Sequence, residues 1–159
     1  MSRGPGRFEF FPLREEDLPF LLSVRNECRS FLHDDREFSL EDARAWFRTK
    51  KPVFFVIRHE GEKIGYFRTS DHVGGSLMVG ADLARAYRGK GLGHDAYKAF
   101  FAFIKERLGV SLLKLEVLSS NLRAKHLYDK LGFRETSRLL AACSRDGQLV
   151  DNVMMELKL

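Results

Sequence analysis

The sequence is poor in cysteine and in long apolar runs, and each shortage excludes a class of protein. Cys28 and Cys143 are the only cysteines among 159 residues, and no Cys-x-x-Cys or Cys/His cluster accompanies them. A disulfide framework is therefore excluded, and we expect no metal. The longest apolar runs fall far short of the roughly 20 residues that a membrane helix needs. We expect no membrane partner.

Long runs of positive charge are also missing. Lys and Arg number 27 against 22 Asp and Glu, which gives a net charge of +5. However, the basic residues are scattered, and their longest run is the pair Lys50–Lys51. This pattern indicates a solvated surface that suits an anionic ligand, and we expect no nucleic-acid partner.

The chain length favours one domain spanning residues 1–159. Its start, Met1 to Arg7, is basic but has no apolar stretch behind it, which argues against a secretory signal. We expect residues 1–6 to be a disordered lead-in, and the protein to be cytoplasmic.

Hydrophobic spacing and turn residues predict the order β-α-α-β-β-β-α-β-α-β-β. The fold class is therefore α/β (α+β), a mixed, mostly antiparallel sheet of about seven strands flanked by four helices. The expected strands are 8–13, 53–57, 64–67, 77–83, 112–118, 133 onward and 149–157. The expected helices follow Arg14, Ser39, Gly93 and Asn121.

A glycine-rich loop lies between the fourth strand and the third helix. It reads Arg88-Gly89-Lys90-Gly91-Leu92-Gly93. Alternate glycines leave backbone N–H groups exposed at a helix N-terminus, which attracts anions, and Arg88 and Lys90 add positive charge. The loop matches neither the Walker loop nor the dinucleotide fingerprint, because His94 stands where the last glycine of the fingerprint would be. We expect it to bind a diphosphate.

This loop resembles the signature Gln/Arg-x-x-Gly-x-Gly/Ala of the GNAT N-acetyltransferase superfamily, with Arg88, Gly91 and Gly93 at the fixed positions. A second segment, from Asn121 through Ala124 and Tyr128 to Gly132-Phe133, resembles the family's Asn-x-x-Ala-x-x-x-Tyr-x-x-x-Gly-Phe. The resemblance implies the GNAT fold and acetyl-CoA as co-substrate. It assigns cofactor binding to Asp82, Leu83, Ala84, Arg88, Gly89, Lys90, Gly91, Leu92, Gly93, Asn121, Ala124 and Tyr128.

The spacing of Asn121, Ala124 and Tyr128 puts them on one helix face. By the resemblance, the Tyr128 hydroxyl protonates the departing thiolate of CoA, and no enzyme nucleophile is needed. No motif selects a general base among Glu27, Asp34, Asp35, Asp71, His72 and Asp82, and a water-mediated base, or none, is also open. Asp82 has an equal alternative as a solvent-facing turn residue.

The first half of the chain should contact the acceptor. Arg25-Asn26 and the segment from Ser39 to Phe47 resemble the GNAT branch of amino-sugar-nucleotide and ribosomal-protein N-terminal acetyltransferases. Arg25 and Asn26 are the substrate candidates, and Arg25 contacts either a substrate phosphate or a neighbouring carboxylate. Trp46 and Phe47 are expected in the core.

The sequence therefore predicts an enzyme that acetylates a primary amine of a small molecule, an amino-sugar nucleotide being the first candidate. One alternative is acetylation of a ribosomal-protein N-terminus, and another is a non-catalytic CoA-binding module. Family members often dimerise, so a homodimer is compatible with the resemblance, but no residue pattern requires one.

Overall fold

The computed structural model describes residues 7–159, so the predicted lead-in of residues 1–6 lies outside the described residues. The predicted element order and fold class are confirmed. The strands are β1 (Phe8–Pro12), β2 (Val53–His59), β3 (Glu62–Val73), β4 (Ser76–Leu83), β5 (Leu112–Leu118), β6 (Arg134–Arg145) and β7 (Gln148–Lys158). The helices are α1 (Leu18–Cys28), α2 (Leu40–Lys50), α3 (Leu92–Leu108) and α4 (Leu122–Leu131).

The seven strands of residues 7–159 form one sheet in the order β1-β2-β3-β4-β5-β7-β6. Neighbouring strands are antiparallel except β4 and β5, which are parallel. These two pair at Ser76–Met78 against Leu112–Lys114 and then diverge, although both strands continue. The divergence opens a wedge in the middle of the sheet.

The helix ends follow from local chemistry. Ser39 and Asp42 form a reciprocal capping box on α2, since each side chain accepts the other's backbone N–H at 3.1 and 3.0 Å. The Asn121 side chain caps α4 by accepting the N–H of Ala124 at 3.2 Å. Left-handed glycines, Gly109 and Gly132, end α3 and α4. The predicted start of α4 after Asn121 is therefore correct, and α3 begins at Leu92, within the glycine-rich loop.

The helices cover the two faces of the sheet and bury two separate cores. Successive residues of β3 point to opposite faces, so Tyr66 packs with α1 and α2, and Phe67 packs with α3 and α4. Phe67 stacks on Phe100 of α3 with ring centroids 3.9 Å apart. Within residues 7–159, no helix has the length and apolar character to cross a bilayer.

Candidate active site

A cavity of about 500 Å³ occupies the wedge between β4 and β5; we call it the wedge cavity. Its walls come from the end of β4, the end of β5, the start of α3 and the inner face of α4. Seven of the residues proposed from the sequence line it: Asp82, Leu83, Arg88, Gly93, Asn121, Ala124 and Tyr128. The two sequence motifs therefore meet at one cavity.

The remaining cofactor candidates lie in the segments between these lining residues. Gly89, Lys90, Gly91 and Leu92 join Arg88 to Gly93, and Ala84 follows Leu83. Gly89 and Gly91 have φ angles of +74° and +76°, which a residue with a Cβ rarely adopts, and Gly91 is the N-cap of α3. The loop thus directs the N-terminus of a 17-residue helix toward the cavity, a geometry that favours an anion.

Arg88 ties this loop to α1 and β4. Its Nε donates to the carbonyl of Leu83 at 2.9 Å, and its Nη2 donates to the Cys28 sulfur at 2.9 Å. Burial and the nearby charge of Asp82 raise the pKa of the Cys28 thiol to about 11. Cys28 therefore stays a neutral thiol at physiological pH, on the wall of the wedge cavity.

Tyr128 projects from α4 into the wedge cavity, and its hydroxyl lies 3.3 Å from the Tyr97 hydroxyl of α3. Burial raises the pKa of Tyr128, and it outweighs the opposing effects of the Tyr97 hydrogen bond and the charge of Arg68. The phenol therefore keeps its proton at neutral pH and can give it to a strongly basic anion in the cavity.

A second cavity, of about 470 Å³, lies on the α1–α2 face of the sheet; we call it the aromatic cavity. Phe38, Trp46, Phe54 and Tyr66 are its aromatic residues. Trp46 was expected in the core; it packs against the core and lines this cavity as well. Of the two substrate candidates, Arg25 lines the aromatic cavity, whereas Asn26 is outside the lining of both cavities.

An ion pair crosses from β3 to β4 at the base of the aromatic cavity. Arg68 Nε lies 3.1 Å from Asp82 Oδ2, and Arg68 Nη2 donates to Asp82 Oδ1 at 3.4 Å. Gly80, the cross-strand partner of Arg68, makes room, because a Cβ there would lie 2.7 Å from Nη2. Asp82 is 6% exposed and belongs to β4, so the alternative of a solvent-facing turn residue is wrong.

The two cavities meet at this ion pair. Four residues line both of them: Leu32, His33, Arg68 and Asp82. Burial disfavours the charge of Arg68, but the charge of Asp82 and the smaller effects of the neighbouring tyrosines together outweigh burial and raise the pKa of the guanidinium. Arg68 therefore keeps its positive charge where the contents of the two cavities would touch.

The segment 32–35, between α1 and α2, contributes Leu32 and His33 to the lining of both cavities and is held from two sides. Arg145, at the end of β6, donates to the carbonyls of Leu32 and His33. Arg25 donates to the carbonyls of Asp34 and Arg36, at 2.8 and 2.5 Å. Arg25 thus contacts this segment and its carboxylate, the second of the two contacts expected from the sequence.

Sequence reasoning missed Arg68, Tyr97 and His33 as residues of the site. His33 Nε2 lies 2.6 Å from Asn152 Oδ1, across 119 positions of sequence, so no local pattern could indicate it. Gly80 was the available signal for Arg68, because an isolated glycine inside a strand often marks the close approach of another group. Within residues 7–159, no group of three His, Cys, Asp or Glu side chains is arranged to hold a metal ion.

Solved structures share this architecture. Spermidine N-acetyltransferase from Vibrio cholerae, in complex with CoA and spermine, superimposes with a TM-score of 0.86 at 19% identity, covering 95% of each chain. The yncA protein of Salmonella typhimurium, with its cofactor acetyl-CoA, gives 0.78 at 19% identity, covering 98% of this chain and 95% of that one. At these identities the likeness establishes the fold alone.

A ribosomal-protein-alanine N-acetyltransferase from Brucella melitensis gives a TM-score of 0.77 at 22% identity, covering 95% of this chain and 99% of that one. No curated protein sequence matches this chain significantly. A family model for the acetyltransferase (GNAT) domain matches residues 7–134, well over half of the chain. The chain therefore belongs to the GNAT acetyltransferase family.

Proposed function

We propose that this chain is an N-acetyltransferase that moves the acetyl group of acetyl-CoA directly to a primary amine. The observation that carries the proposal is the meeting of the wedge and aromatic cavities at Arg68 and Asp82. Acetyl-CoA binds in the wedge cavity and the amine in the aromatic cavity. A direct transfer needs such a junction, because the amine nitrogen must reach the thioester carbonyl.

The residues of the wedge cavity fit acetyl-CoA. The N-terminus of α3, the N–H groups of the Gly89–Gly93 loop and the side chains of Arg88 and Lys90 would bind its pyrophosphate. Its pantetheine arm would follow the end of β4, where Asp82, Leu83 and Ala84 lie. At Gly93 and Ala124 little or no side chain occupies the wall, which leaves room for the arm.

Tyr128 is the proposed catalytic acid. Acetyl-CoA supplies an activated acetyl group, whose bond to sulfur breaks as the new amide bond forms. The neutral phenol of Tyr128 donates its proton to the departing sulfur, so CoA leaves as the thiol. Arg68 adds a positive charge that favours the resulting phenolate, since its charge lowers the pKa of Tyr128.

Asp82 is the proposed acceptor of the amine proton. Of the carboxylates considered from the sequence, it alone lines both cavities; Glu27 accepts the backbone N–H of Arg85 at 2.6 Å, and Asp34 pairs with Arg36. Deprotonating a lysine-like amine at pH 7 costs about 4 to 5 kcal/mol, against about 1 for an α-amine. Desolvation in the aromatic cavity lowers the pKa of the bound amine and reduces this cost.

The acceptor predicted first from the sequence, an amino-sugar nucleotide, stays a prediction, as does a ribosomal-protein N-terminus. A nucleotide needs a second phosphate-binding group. Arg25, the candidate from the sequence, already donates to two backbone carbonyls. The single domain of residues 1–159 and the cytoplasmic location also stay predictions, and the one sheet of residues 7–159 supports the former.

The test is thiol release from acetyl-CoA with a panel of amines, followed with a thiol dye. We expect release that depends on both acetyl-CoA and one class of amine. Calorimetric titration with CoA accompanies it. Binding without turnover by any amine would favour a non-catalytic CoA-binding module, and the absence of CoA binding would overturn the proposal.

A further inference from the structure

The aromatic cavity has walls that are mostly hydrocarbon. Leu21 and Leu22 of α1 face it, together with Phe38, Trp46, Phe54 and Tyr66. The rings contact one another: Trp46 meets Phe54 edge-on at 5.3 Å between centroids, and Phe54 stacks on Tyr66 at 5.9 Å. A continuous apolar wall of this kind gains free energy by burying apolar surface of a ligand.

The charged groups on the α1–α2 side of this cavity are already neutralised within the protein. Arg36 makes a bidentate pair with Asp34, at 2.9 and 2.7 Å. Arg25 donates to the backbone carbonyls of Asp34 and Arg36 and also lies 3.9 Å from the Asp34 carboxylate. Both guanidinium groups lie over the Phe38 ring, at 4.4 and 5.2 Å from its centroid. These charged groups therefore stabilise the wall of the cavity through contacts within the protein.

The remaining charges have partners as well. Asp42 accepts the backbone N–H of Ser39 at the start of α2, and that hydrogen bond lowers the pKa of its carboxyl group. At the base of the cavity, Arg68 and Asp82 form the ion pair at 3.1 Å. The lining therefore carries three arginines and three aspartates, each with a protein partner.

A polycation needs several free carboxylates, and a phosphorylated ligand needs a free cation cluster. A phosphorylated ligand would have to break an existing ion pair, and a polycation would find only the Asp42 carboxylate outside an ion pair, where it already accepts the Ser39 N–H. A hydrocarbon group needs no such partner and would replace water against the rings. The single polar requirement is at the base, where one amino group must reach Asp82 at the junction with the wedge cavity.

We propose that the acceptor is a monoamine whose one amino group is attached to an apolar body, either alkyl or aryl. This inference rests on the proposed function, and it identifies the aromatic cavity as a site for hydrocarbon. The amino group points to Asp82, and the body lies against Trp46 and Phe54. The apolar body is then recognised by hydrophobic contact. The distance from Trp46 and Phe54 to Asp82 determines which length of amine fits.

The sharpest test is a homologous series of linear amines from n-propylamine to n-hexylamine, since their ammonium pKa values are nearly equal. We expect kcat/KM to rise about fourfold with each added methylene, the factor that corresponds to burial of one CH₂. Spermidine and an amino-sugar nucleotide are the comparison acceptors. A flat series, or a faster reaction with either comparison acceptor than with n-hexylamine, would overturn the inference.

A variant connects the slope to this cavity. Trp46→Ala removes a large part of the apolar wall, so we expect the rise per methylene to fall below twofold. Phe11→Ala is the matched control, because Phe11 is an exposed aromatic on the edge strand β1, and the slope should not change. An unchanged slope in Trp46→Ala would contradict the assignment.

Calorimetric titration with CoA separates the two levels of proposal. CoA binding with acetylation of the wrong class of amine would disprove only the monoamine inference. A failure of the unsubstituted protein to bind CoA would disprove the proposed function itself. Retained CoA binding in Trp46→Ala would show that the variant is folded.

Discussion

The Tyr97 and Tyr128 hydroxyls face each other across the α3–α4 contact at 3.3 Å, with their rings nearly perpendicular at 88°. The hydrogen bond between the two hydroxyls lowers the pKa of Tyr128, whereas burial raises this pKa by more. Under the proposed function the two phenols have unequal roles, because Tyr128 donates the proton and Tyr97 only supports it. This inequality can be measured.

We expect Tyr128→Phe to lower kcat by about 10²- to 10³-fold, within the range for loss of a general acid, with little change in CoA affinity. Tyr97→Phe is the control, with a loss of less than tenfold. Because Tyr128 acts in its protonated form and its pKa is raised, the alkaline loss of parent activity should begin above pH 10. Equal losses in the two variants would contradict the assignment of the acid.

Gly80 and Gly65 give a pair of matched substitutions on neighbouring strands. A Cβ at Gly65 would lie 2.2 Å from the carbonyl oxygen of Asp82, which is backbone and cannot move away. Gly65→Ala should lower the free energy of unfolding by about 3 kcal/mol, as overpacking does. A Cβ at Gly80 meets only the guanidinium end of Arg68, which can shift at the expense of its contact with Asp82, so Gly80→Ala should cost about 1 to 2 kcal/mol, less than Gly65→Ala.

Gly80→Ala should affect activity more than stability. Gly80→Ala displaces the Arg68 guanidinium from Asp82, so we expect a folded protein with kcat/KM at least tenfold lower. Chemical denaturation and initial rates measure the two effects. Full activity in a folded Gly80→Ala protein would mean that Arg68 does not orient the Asp82 carboxylate.

Gly93→Ala should raise the stability of the protein and lower its affinity for CoA. It lies in the first turn of α3, and a Cβ there would be at ordinary contact distance, 3.5 Å from Leu127 and 3.7 Å from Leu83. Gly93→Ala should stabilise the helix by about 0.5 kcal/mol. The added methyl narrows the wedge cavity, so CoA should bind about tenfold more weakly. Thermal unfolding and calorimetry measure the two changes, and unchanged CoA affinity would exclude Gly93 from the cofactor site.

The cysteines should differ in reactivity toward iodoacetamide. With its pKa at about 11, Cys28 is almost entirely protonated at pH 8, and it is buried, whereas Cys143 is partly exposed. We expect one fast alkylation per chain, at Cys143, and a slow one at Cys28 that accelerates steadily up to pH 11. Mass spectrometry after digestion locates both. Fast labelling of Cys28 at pH 8 would show that its surroundings open readily.

Arg145 should control access to the aromatic cavity from a distance. Its guanidinium donates to the carbonyls of Leu32 and His33 and lies 3.7 Å from the Asp35 carboxylate. Arg145→Ala should loosen segment 32–35, raise KM for the amine about three- to tenfold and increase hydrogen exchange at these residues. Arg134→Ala, at the other end of β6 in an exposed position, is the control and should leave KM unchanged.

The sequence was sufficient for the element order and for the part of the wedge-cavity lining that its two motifs supply, because those features depend on local patterns. Gly91, Gly109 and Gly132 mark helix ends, and the i, i+3, i+7 spacing places Asn121 and Tyr128 on one face of α4. Such signals lie within one or two turns of chain. They survive in any tertiary context that keeps the helix.

The aromatic cavity and the ion pair could not be predicted in the same way. Arg68 and Asp82 meet through the register of β3 against β4, and a shift of one strand by one residue would put the two side chains on opposite faces of the sheet. Strand β3 also runs to Val73, beyond the predicted end at Phe67, because β4 pairs with its second half. These features depend on pairing between strands, which no single segment encodes.

The short β4–β5 ladder has a consequence beyond catalysis. It joins two half-sheets, β1 to β4 on one side and β5, β7 and β6 on the other, through three residue pairs. A molecule that fills the wedge would contact both half-sheets. It would add RT ln(1 + [L]/Kd) to the free energy of unfolding. We therefore expect the protein to resist proteases better with the wedge filled than with it empty, so that its lifetime would depend on the supply of the molecule that fills the wedge.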